Sequence, residues 1–321
     1  MKSRIISPHE YAQFDFLAAE YGTLFNTVGW TELYGDALVR LGIYEDGGEL
    51  IGGFVLHQKS CCGFNLITNP PFTPSCGPFL NVKASHAVTI LETRREAMTA
   101  LIDYIKKLGF GLLFLKLDQS VKDALPFYWA GYRVIPSYTY ILDLTASPDQ
   151  TLANMSSVRR RNIQRAIKDG IEAREILDMH VVKQLVEGTF ARQKKKIDRS
   201  VIDGILERYA KPENSYAFAA YQNDVPIATT FVVHDRSIAY YLLGGYDEDG
   251  KHHGAGALAM WQSILRAKQL GLKYFDFEGS VIPPIERYFR GFGGQLTPYF
   301  TVNKAWLPVE FVMKCFHREL F

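Results

Sequence analysis

Hydrophobic and polar positions recur along this chain with two different periods, and the changes of period predict a mixture of helices and strands. Val39 to Glu45 and Leu50 to Gln58 are apolar-rich runs on either side of Asp46-Gly47-Gly48, a pattern that predicts a β-hairpin. Ser85 to Leu108 has helical spacing and is followed by Gly109, a typical helix stop. The same criteria predict further helices at 7–20, 26–38, 124–130, 156–169, 179–193, 200–209 and 306–321, and further strands at 112–117, 133–144, 171–176, 216–222, 226–234 and 237–244.

Glycines and prolines that end or interrupt these elements recur at a constant spacing of 162 residues. The matching pairs are Gly109 with Gly271, Gly131 with Gly293, and Pro136 with Pro298. Such a repeat predicts two copies of one α/β unit, which we place at residues 1–145 and 146–321. The first copy has a longer, proline-rich loop at Asn69 to Pro78, so the two copies are expected to differ in role.

One turn of the second copy is a candidate anion site. Lys251 to Gly256, with the sequence Lys-His-His-Gly-Ala-Gly, lies between a predicted strand and a predicted helix. Glycines let backbone N–H groups approach an anion, and the start of a helix carries a partial positive charge. We therefore predict a phosphate cradle formed by these residues: Lys251, His253, Gly254, Ala255 and Gly256. The simpler interpretation is a loop with a helix cap, in which His252 and His253 are solvated.

Composition and charge narrow the possible functions. The chain has 321 residues, 47% of them hydrophobic, and a formal net charge of +2, which does not favour DNA binding as its purpose. The four cysteines have no zinc-ligand spacing, so no metal is expected. No apolar run approaches the roughly 20 residues of a spanning helix. We expect a cytoplasmic protein without stable membrane insertion, although the apolar segment Trp306 to Phe321 could dock onto the core or lie on a membrane.

Several stretches of the second copy resemble a known family. The turn Lys251 to Gly256 resembles the coenzyme-A pyrophosphate motif of GNAT acyltransferases, [Q/R]-x-x-G-x-[G/A], with lysine in the first position. The segments SVRRRNIQRAIKDGI, GLKYFDFEGS and IERYFRGFGG, together with the duplication, are similar to the FemABX-like peptidyltransferases. This resemblance implies a fold of two tandem GNAT-like units with mixed α/β sheets. It also implies transfer of an acyl or aminoacyl group to an amine.

The resemblance leaves the donor open between acyl-CoA and aminoacyl-tRNA. The tandem architecture favours aminoacyl-tRNA, as in the FemABX-like family, whose acceptors are amino groups of peptidoglycan precursors. Two departures weigh against tRNA: Met179 to Tyr209 is too short for the helical-hairpin arm of tRNA-docking members, and Arg290 stands where the family has lysine. Arginine stays charged and can bind an oxyanion, but it is a poor proton donor.

An amine must lose a proton to attack a carbonyl, so a general base is required. Asp276 and Glu278 alternate with phenylalanines on a predicted strand, and we name Glu278 as the candidate base, with a salt bridge to Arg287 or Lys273 as the alternative. We add Arg290 and Tyr246 as candidate catalytic residues. Tyr240, Tyr241 or Tyr246 could donate a proton to the leaving group, as a tyrosine can in GNAT enzymes, and simple packing in a strand is the alternative for these tyrosines.

The candidate substrate-binding residues are Arg161, Arg165 and Phe289. Arg161 and Arg165 are four residues apart in a basic helix and share one of its faces, whereas Arg159 points elsewhere. A solvated basic surface is the alternative for this helix. Together these residues predict an N-acyltransferase acting on a small-molecule or peptidoglycan-precursor amine, and the alternative function is a non-catalytic module that binds a nucleotide or envelope ligand.

Overall fold

The structure is a computed structural model that describes residues 1–61, 63–194, 197–248, 250, 252–279 and 282–316. Within these ranges the strands are β1 Lys2–Ile5, β2 Leu38–Tyr44, β3 Leu50–Cys61, β4 Phe64–Thr68, β5 Phe79–Leu80, β6 Leu112–Lys116, β7 Arg133–Asp143, β8 Glu172–Ile176, β9 Ser215–Gln222, β10 Val225–His234, β11 Ile238–Tyr246, β12 Tyr274–Asp276 and β13 Gln295–Ala305. The α-helices are α1 Tyr11–Tyr21, α2 Val28–Thr31, α3 Ala87–Leu108, α4 Leu125–Trp129, α5 Pro148–Asn154, α6 Ser157–Lys168, α7 Met179–Arg192, α8 Arg199–Asp203, α9 Ala255–Gln269, α10 Pro283–Arg290 and α11 Leu307–Phe316. None of these helices is both long and apolar enough to cross a bilayer.

The chain forms two compact units whose limits differ from the sequence-based division at residue 145. The first consists of Met1–Ser137 and Pro298–Phe321, and the second of Tyr138–Thr297. The division falls inside β7 and inside β13, because each of these strands continues past the end of one unit into the next. A boundary within a strand has no loop composition to mark it in the sequence.

The first unit contains a mixed sheet. Strands β1 to β4 pair antiparallel in chain order, and β5 pairs with β3 on a short stretch. Strand β4 pairs parallel with β6 at Leu66–Thr68 and Leu112–Phe114. The last residues of β13, Thr301–Ala305, pair antiparallel with β6. The predicted hairpin at the Asp46-Gly47-Gly48 turn is confirmed, because β2 and β3 form it.

The second unit has a sheet in the order β7-β12-β11-β10-β9-β8. All of these pairs are antiparallel except β11 with β12, which pair parallel at Ile238–Tyr240 and Tyr274–Asp276. Helix α9 packs on one face, where the Thr230 hydroxyl lies 2.7 Å from that of Ser263. Helix α7 packs closely on the other face. The close approach is seen at Gly245, where an added Cβ would lie 2.4 Å from the Leu185 backbone. Gly245 pairs with Thr229, whose side chain points opposite to that of Thr230.

Both units contain the same succession of elements. In the first, β4, α3 and β6 form a strand–helix–strand passage with parallel strands, followed by the short helix α4. In the second, β11, α9 and β12 do the same, followed by α10. The predicted class, a mixed α/β fold of two tandem units, is therefore confirmed.

One local prediction is wrong, and two others can be compared with the structure. The helix expected at 26–38 is a series of short turns around α2, because Gly35 adopts a positive φ of 53° that a helix does not allow. The helix expected at 200–209 is confirmed, because α8 continues without a break into a π-helix at Gly204–Tyr209. In its described part, helix α11 has no fully buried residue, but Val309 and Met313 are half-buried, and Trp306 before the helix packs against Phe64, with 5.7 Å between the ring centres.

Candidate active site

The parallel strands β11 and β12 separate after three residues, and the separation creates the opening of the candidate site. Their ladder ends at Tyr240 and Asp276, whereas β11 continues to Tyr246 with β10 as its partner. A β-bulge lies in this continuation, where Leu242 has no opposite residue in β10. Bulges re-aim the neighbouring side chains of a strand. Here Tyr241, next to the bulge, lines a cavity of 400 Å³.

The cavity is largely apolar with a few hydroxyl and imidazole groups, which is typical of a ligand site. It is enclosed by β10, β11, the first turn of α9, helix α10 and one residue of α7. The lining residues are Thr189, Ile227, Ala228, Thr229, Thr230, Tyr241, Gly244, Gly245, Tyr246, Asp247, His252, His253, Gly256, Ala257, Pro284, Ile285, Tyr288 and Phe289.

The first turn of α9 presents backbone donors to the cavity. The first N–H groups of a helix have no partner within the helix. The N–H of Ala255 donates to the His252 carbonyl at 3.2 Å, and that of Gly254 donates to the His252 ring at 3.1 Å. Among the described residues, the N–H groups of Gly256 and Ala257 have no protein acceptor, and both residues line the cavity. The predicted lysine of this cradle, Lys251, lies outside the described residues.

The two glycines of the turn are required for different reasons. A Cβ on Gly254 would lie 2.1 Å from the carbonyl oxygen of Asn162, so this glycine lets helix α6 approach the start of α9. A Cβ on Gly256 would meet only the Tyr288 hydroxyl, at 3.6 Å. Gly256 therefore keeps the space beside the free N–H groups open. Gly254 serves packing, which the sequence pattern did not separate from anion binding.

Two tyrosine hydroxyls face the cavity. Those of Tyr241 and Tyr288 have no hydrogen-bond partner within the described ranges, and both residues line the space between β11 and α10. The Tyr241 hydroxyl lies over Gly244, where a Cβ would clash with it. Burial raises the pKa of the Tyr241 hydroxyl and raises the pKa of Tyr288 to about 12. Both phenols therefore carry their protons at neutral pH and can donate them.

Arg159 lies beneath Tyr288 and is the buried arginine of helix α6. Its guanidinium carbon is 4.1 Å from the Tyr288 ring centre and 4.9 Å from that of Phe292, and it donates to the Tyr288 carbonyl at 3.2 Å. The side chain is 7% exposed, and burial lowers its pKa, although arginine stays charged at neutral pH. This cation opposes the effect of burial on Tyr288, because it stabilises the phenolate form.

Arg159 was not among the predicted site residues, although the sequence contains a usable signal for it. Arg159, Ile163 and Ala166 are the buried residues of α6, and their spacing of four and three is that of a buried helix face. Arg161 and Arg165, the predicted substrate-binding pair, are exposed. Arg161 donates to its own helix at Ser157, and Arg165 forms an ion pair with Asp169 at 3.3 Å. Neither lines the cavity.

The structure places some of the other predicted residues at the cavity and others away from it. Tyr246, His253 and Phe289 line the cavity, as does Gly256, and Ala255 is buried at the start of α9. Tyr246 is 43% exposed, and its ring is covered by Arg192 at 4.4 Å, so it lies at the mouth. Phe289 is stacked on Phe277 deep in the same region.

Glu278 and Arg290 do not line the cavity. Strand β12 ends at Asp276, so the expected alternation does not reach Glu278, which has a positive φ of 57°. Its N–H donates to the Asp276 carboxylate at 2.8 Å, and this carboxylate also accepts from Thr139 at 2.5 Å. Arg290 is exposed and pairs with Glu286 at 3.0 Å.

Glu286, on helix α10, is a further carboxylate in this part of the unit. It accepts a hydrogen bond of 2.5 Å from the buried Tyr140 hydroxyl in addition to the ion pair with Arg290. Carboxylates thus lie at the end of β12 and on α10, outside the lining of the cavity. Within the described ranges, no group of three or more His, Cys, Asp or Glu side chains could hold a metal ion.

Comparison with known proteins agrees with this geometry. A family model described as an acetyltransferase (GNAT) domain matches residues 156–290, which include the cavity, α9 and α10. No curated protein matches the chain significantly in sequence.

Solved structures resemble the whole chain. FemX has a TM-score of 0.71 at 15% identity, covering 98% of this chain and 100% of FemX. The C-terminal domain of a putative lysylphosphatidylglycerol synthetase from Agrobacterium fabrum has a TM-score of 0.61 at 9% identity, covering 95% of each chain. A tandem GNAT protein from the clavulanic acid biosynthesis pathway has a TM-score of 0.51 at 12% identity, covering 94% of this chain and 98% of that protein. Residues 156–290 therefore match the GNAT acetyltransferase model, and the chain has the FemX-like, tandem-GNAT fold predicted from the resemblance.

Proposed function

We propose that the protein is an N-acyltransferase that moves an acyl or aminoacyl group from a thioester or ester donor to an amine. The observation that carries the proposal is the cavity where β11 and β12 separate. Among the described residues, it combines N–H groups at the start of α9 and two phenol hydroxyls that have no protein partner. An anionic donor can bind at the helix start while its reactive carbonyl reaches the phenols.

The transfer breaks one bond to the acyl carbon and forms another. The amine nitrogen attacks the donor carbonyl with its lone pair, and the electrons of the C=O bond move to oxygen. When the tetrahedral intermediate collapses, the C–S or C–O bond to the donor breaks, and its electron pair leaves with sulfur or oxygen. The attacking nitrogen loses one proton, and the leaving group gains one.

Tyr288 is our proposed proton donor to the leaving group, with Tyr241 as its neighbour. Tyr288 faces Gly256 and therefore the donor end of the cavity. A pKa of about 12 keeps it protonated throughout the neutral range. Arg159 beneath the ring stabilises the phenolate left after the proton has moved, which lowers the cost of the step. This assignment replaces Tyr246, which lies at the exposed mouth.

The proton of the amine goes, directly or through water, to one of the carboxylates at the end of β12 or on α10. Glu278 remains our candidate base, and the buried Asp276, bonded to its N–H, would hold it in place. The strained backbone at Glu278, with its positive φ, agrees with a functional role because such conformations cluster at active sites.

Two donors fit the proposal. The GNAT domain favours acyl-CoA. The similarity to FemX and to a lysylphosphatidylglycerol synthetase favours aminoacyl-tRNA, and it favours an amine of a cell-wall precursor as one acceptor class. We retain both donors, because the free N–H groups at α9 suit the phosphates of either.

The test is ligand binding followed by turnover. The purified chain is mixed with CoA, acetyl-CoA and alanyl-tRNA, and its thermal unfolding is followed. A donor at a hundred times its Kd should stabilise the protein by about 2.7 kcal/mol. The stabilising donor, with its acyl group radiolabelled, is then incubated with peptidoglycan-precursor peptides and simple amines. Stabilisation without transfer to any amine would favour a binding module, and no stabilisation by any donor would contradict the proposal.

A further inference from the structure

We propose that His252 is a positioning residue that controls how many backbone donors the first turn of α9 offers to an anion. In its neutral form, the imidazole occupies the Gly254 N–H. In its protonated form, it releases this N–H, so anion binding and protonation of His252 favour each other. The inference rests on the proposed function only in identifying the anion as the donor's phosphate.

The ring of His252 bridges two helices. Its Nδ1 lies 3.1 Å from the Gly254 backbone nitrogen, and its Nε2 lies 3.1 Å from Oδ2 of Asp169, the residue after helix α6. Because Nδ1 accepts the Gly254 N–H, it carries no proton itself, and Nε2–H donates to the carboxylate. The two contacts thus select one neutral tautomer. The side chain is only 13% exposed.

This arrangement limits the donors available at the helix start. His252 takes two N–H groups, that of Gly254 through its ring and that of Ala255 through its carbonyl. The Leu258 N–H begins the regular helical pattern by donating to Gly254. Gly256 and Ala257 remain as the unpartnered donors of this turn within the described residues. Release of Gly254 would raise the number from two to three.

Protonation changes both bonding and charge. A proton on Nδ1 turns the acceptor into a donor, so the ring can no longer hold the Gly254 N–H. The imidazolium also lies at the positive end of α9, where a cation is unfavourable unless an anion is present. An anion bound at this turn therefore favours the protonated ring, and by thermodynamic linkage the protonated ring favours the anion.

The charged groups around His252 support this coupling. The hydrogen bond from His252, followed by that from Arg165, lowers the pKa of the Asp169 carboxyl, which therefore stays ionised and can hold Nε2–H in both states. The other titratable groups of the turn are Asp247 and His253, which line the same cavity, and Glu248, which lies 3.7 Å from Arg192. Asp249 and Lys251 also belong to the turn and lie outside the described residues.

The first test needs no donor. In protein labelled with ¹⁵N at histidine and along the backbone, the His252 ring should show the Nε2–H tautomer at pH 8. The Gly254 amide resonance should shift with the same midpoint as the ring as pH falls. In His252→Asn, the Asn side chain can still accept the N–H two residues on, as in an Asx turn, and cannot titrate. There the Gly254 resonance should stay constant. A pH-independent Gly254 resonance in the wild-type protein would overturn the inference.

The second test uses inorganic pyrophosphate as the probe. Calorimetry at pH 6.5 in buffers of different ionisation enthalpy should reveal proton uptake on binding, and Kd should be about 5-fold lower at pH 6 than at pH 8. His252→Asn should reduce that ratio to below about 2-fold, after correction for the ionisation of the probe itself. His180→Asn, at an exposed histidine of α7 outside the cavity, should retain the wild-type ratio and proton uptake.

The two tests separate the inference from the proposed function. If pyrophosphate binds with proton uptake and no acyl donor is ever turned over, the His252 coupling stands and the transferase proposal fails. If transfer occurs and the donor KM has the same pH dependence in wild type and His252→Asn, the coupling is wrong and the transferase proposal stands. We expect instead that the variant changes the donor KM and its pH profile while kcat varies by less than about 2-fold, because the ring does not touch the reacting carbon.

Discussion

The strand–helix–strand passages β4–α3–β6 and β11–α9–β12 have the same order and the same parallel pairing. We call the first one closed, because a loop covers it, and the second one open, because a cavity lies beside it. In the first, the connection at residues 69–86 covers the edge of β6 beyond the ladder. The Asn69 side chain accepts from the Lys116 N–H at 2.7 Å, and the Cys76 N–H donates to the Lys116 carbonyl at 3.2 Å. In the second, residues 247–254 lead directly into α9, and the separation from β12 becomes a cavity.

The difference teaches that the connection, rather than the order of elements, decides where a site can form. The long loop of the first unit is held by its own bonds, including those of Trp30 to Thr73 at 2.9 Å and of Tyr34 to Pro71 at 2.5 Å. Its polar groups are therefore used internally. The short turn of the second unit leaves N–H groups at the helix start and an uncovered strand beside them, which are the two requirements for an anionic, reactive ligand.

The strongest test of this comparison is to remove the hydroxyl group of Tyr288, which faces the cavity beside the open passage. Tyr288→Phe should lower kcat by about 100-fold or more, the usual effect of losing a general acid. Donor binding should change little, since the ring remains. The matched control is Tyr128→Phe in α4, the corresponding short helix of the first unit, where the side chain is 66% exposed. The control should keep the wild-type rate, and an equal loss in both variants would contradict our assignment of Tyr288.

The two glycines of the α9 turn provide the next test, in which stability is measured by chemical denaturation. Gly254→Ala places a Cβ against the Asn162 carbonyl and should destabilise the protein by about 1–3 kcal/mol, as overpacking does. Gly256→Ala should be neutral or stabilise it by up to about 1 kcal/mol, because alanine favours the helix. If Gly254→Ala is as stable as Gly256→Ala, the packing of α6 against the turn is wrong.

The closed passage can be tested separately. Asn69→Ala removes the acceptor of the part-buried Lys116 N–H and should cost about 1–3 kcal/mol of unfolding free energy. Pyrophosphate and donor Kd values should not change, because the loop is structural in this unit. A weakened Kd in a folded Asn69→Ala protein would show that the loop serves the ligand.

The smallest expected effect is on stability in acid. Because the pKa of Asp169 is lowered in the folded protein, its ionised form adds stability above the unfolded value, about 3.9, and this contribution is lost as pH falls below that value. Denaturation of wild type and Asp169→Asn should therefore differ at pH 7, with wild type the more stable, and the difference should shrink as pH falls below about 3.9. A difference in stability between the two proteins that grows as pH falls would contradict this prediction.

Local sequence rules predicted most of the elements and the duplication. Periodicity predicted α3, α7 and the β2–β3 hairpin closely, since each has a strong pattern and a clear stop. It failed at 26–38, where Gly35 breaks the helix, and it omitted β1, β4 and β5, which are short. The motif in the turn before α9 lies beside the cavity, and it could be recognised because a strand, a glycine-rich turn and a helix are local in sequence.

The sequence by itself therefore determined the two mixed α/β units and the position of the glycine-rich turn before α9, because both follow from patterns a few residues long. Only the tertiary structure decided which side chains meet there. It brought Arg159 beneath Tyr288 and left Arg161 and Arg165 in solvent. These relations depend on how α6 and α10 pack against the separated strands, and such packing joins residues more than a hundred positions apart.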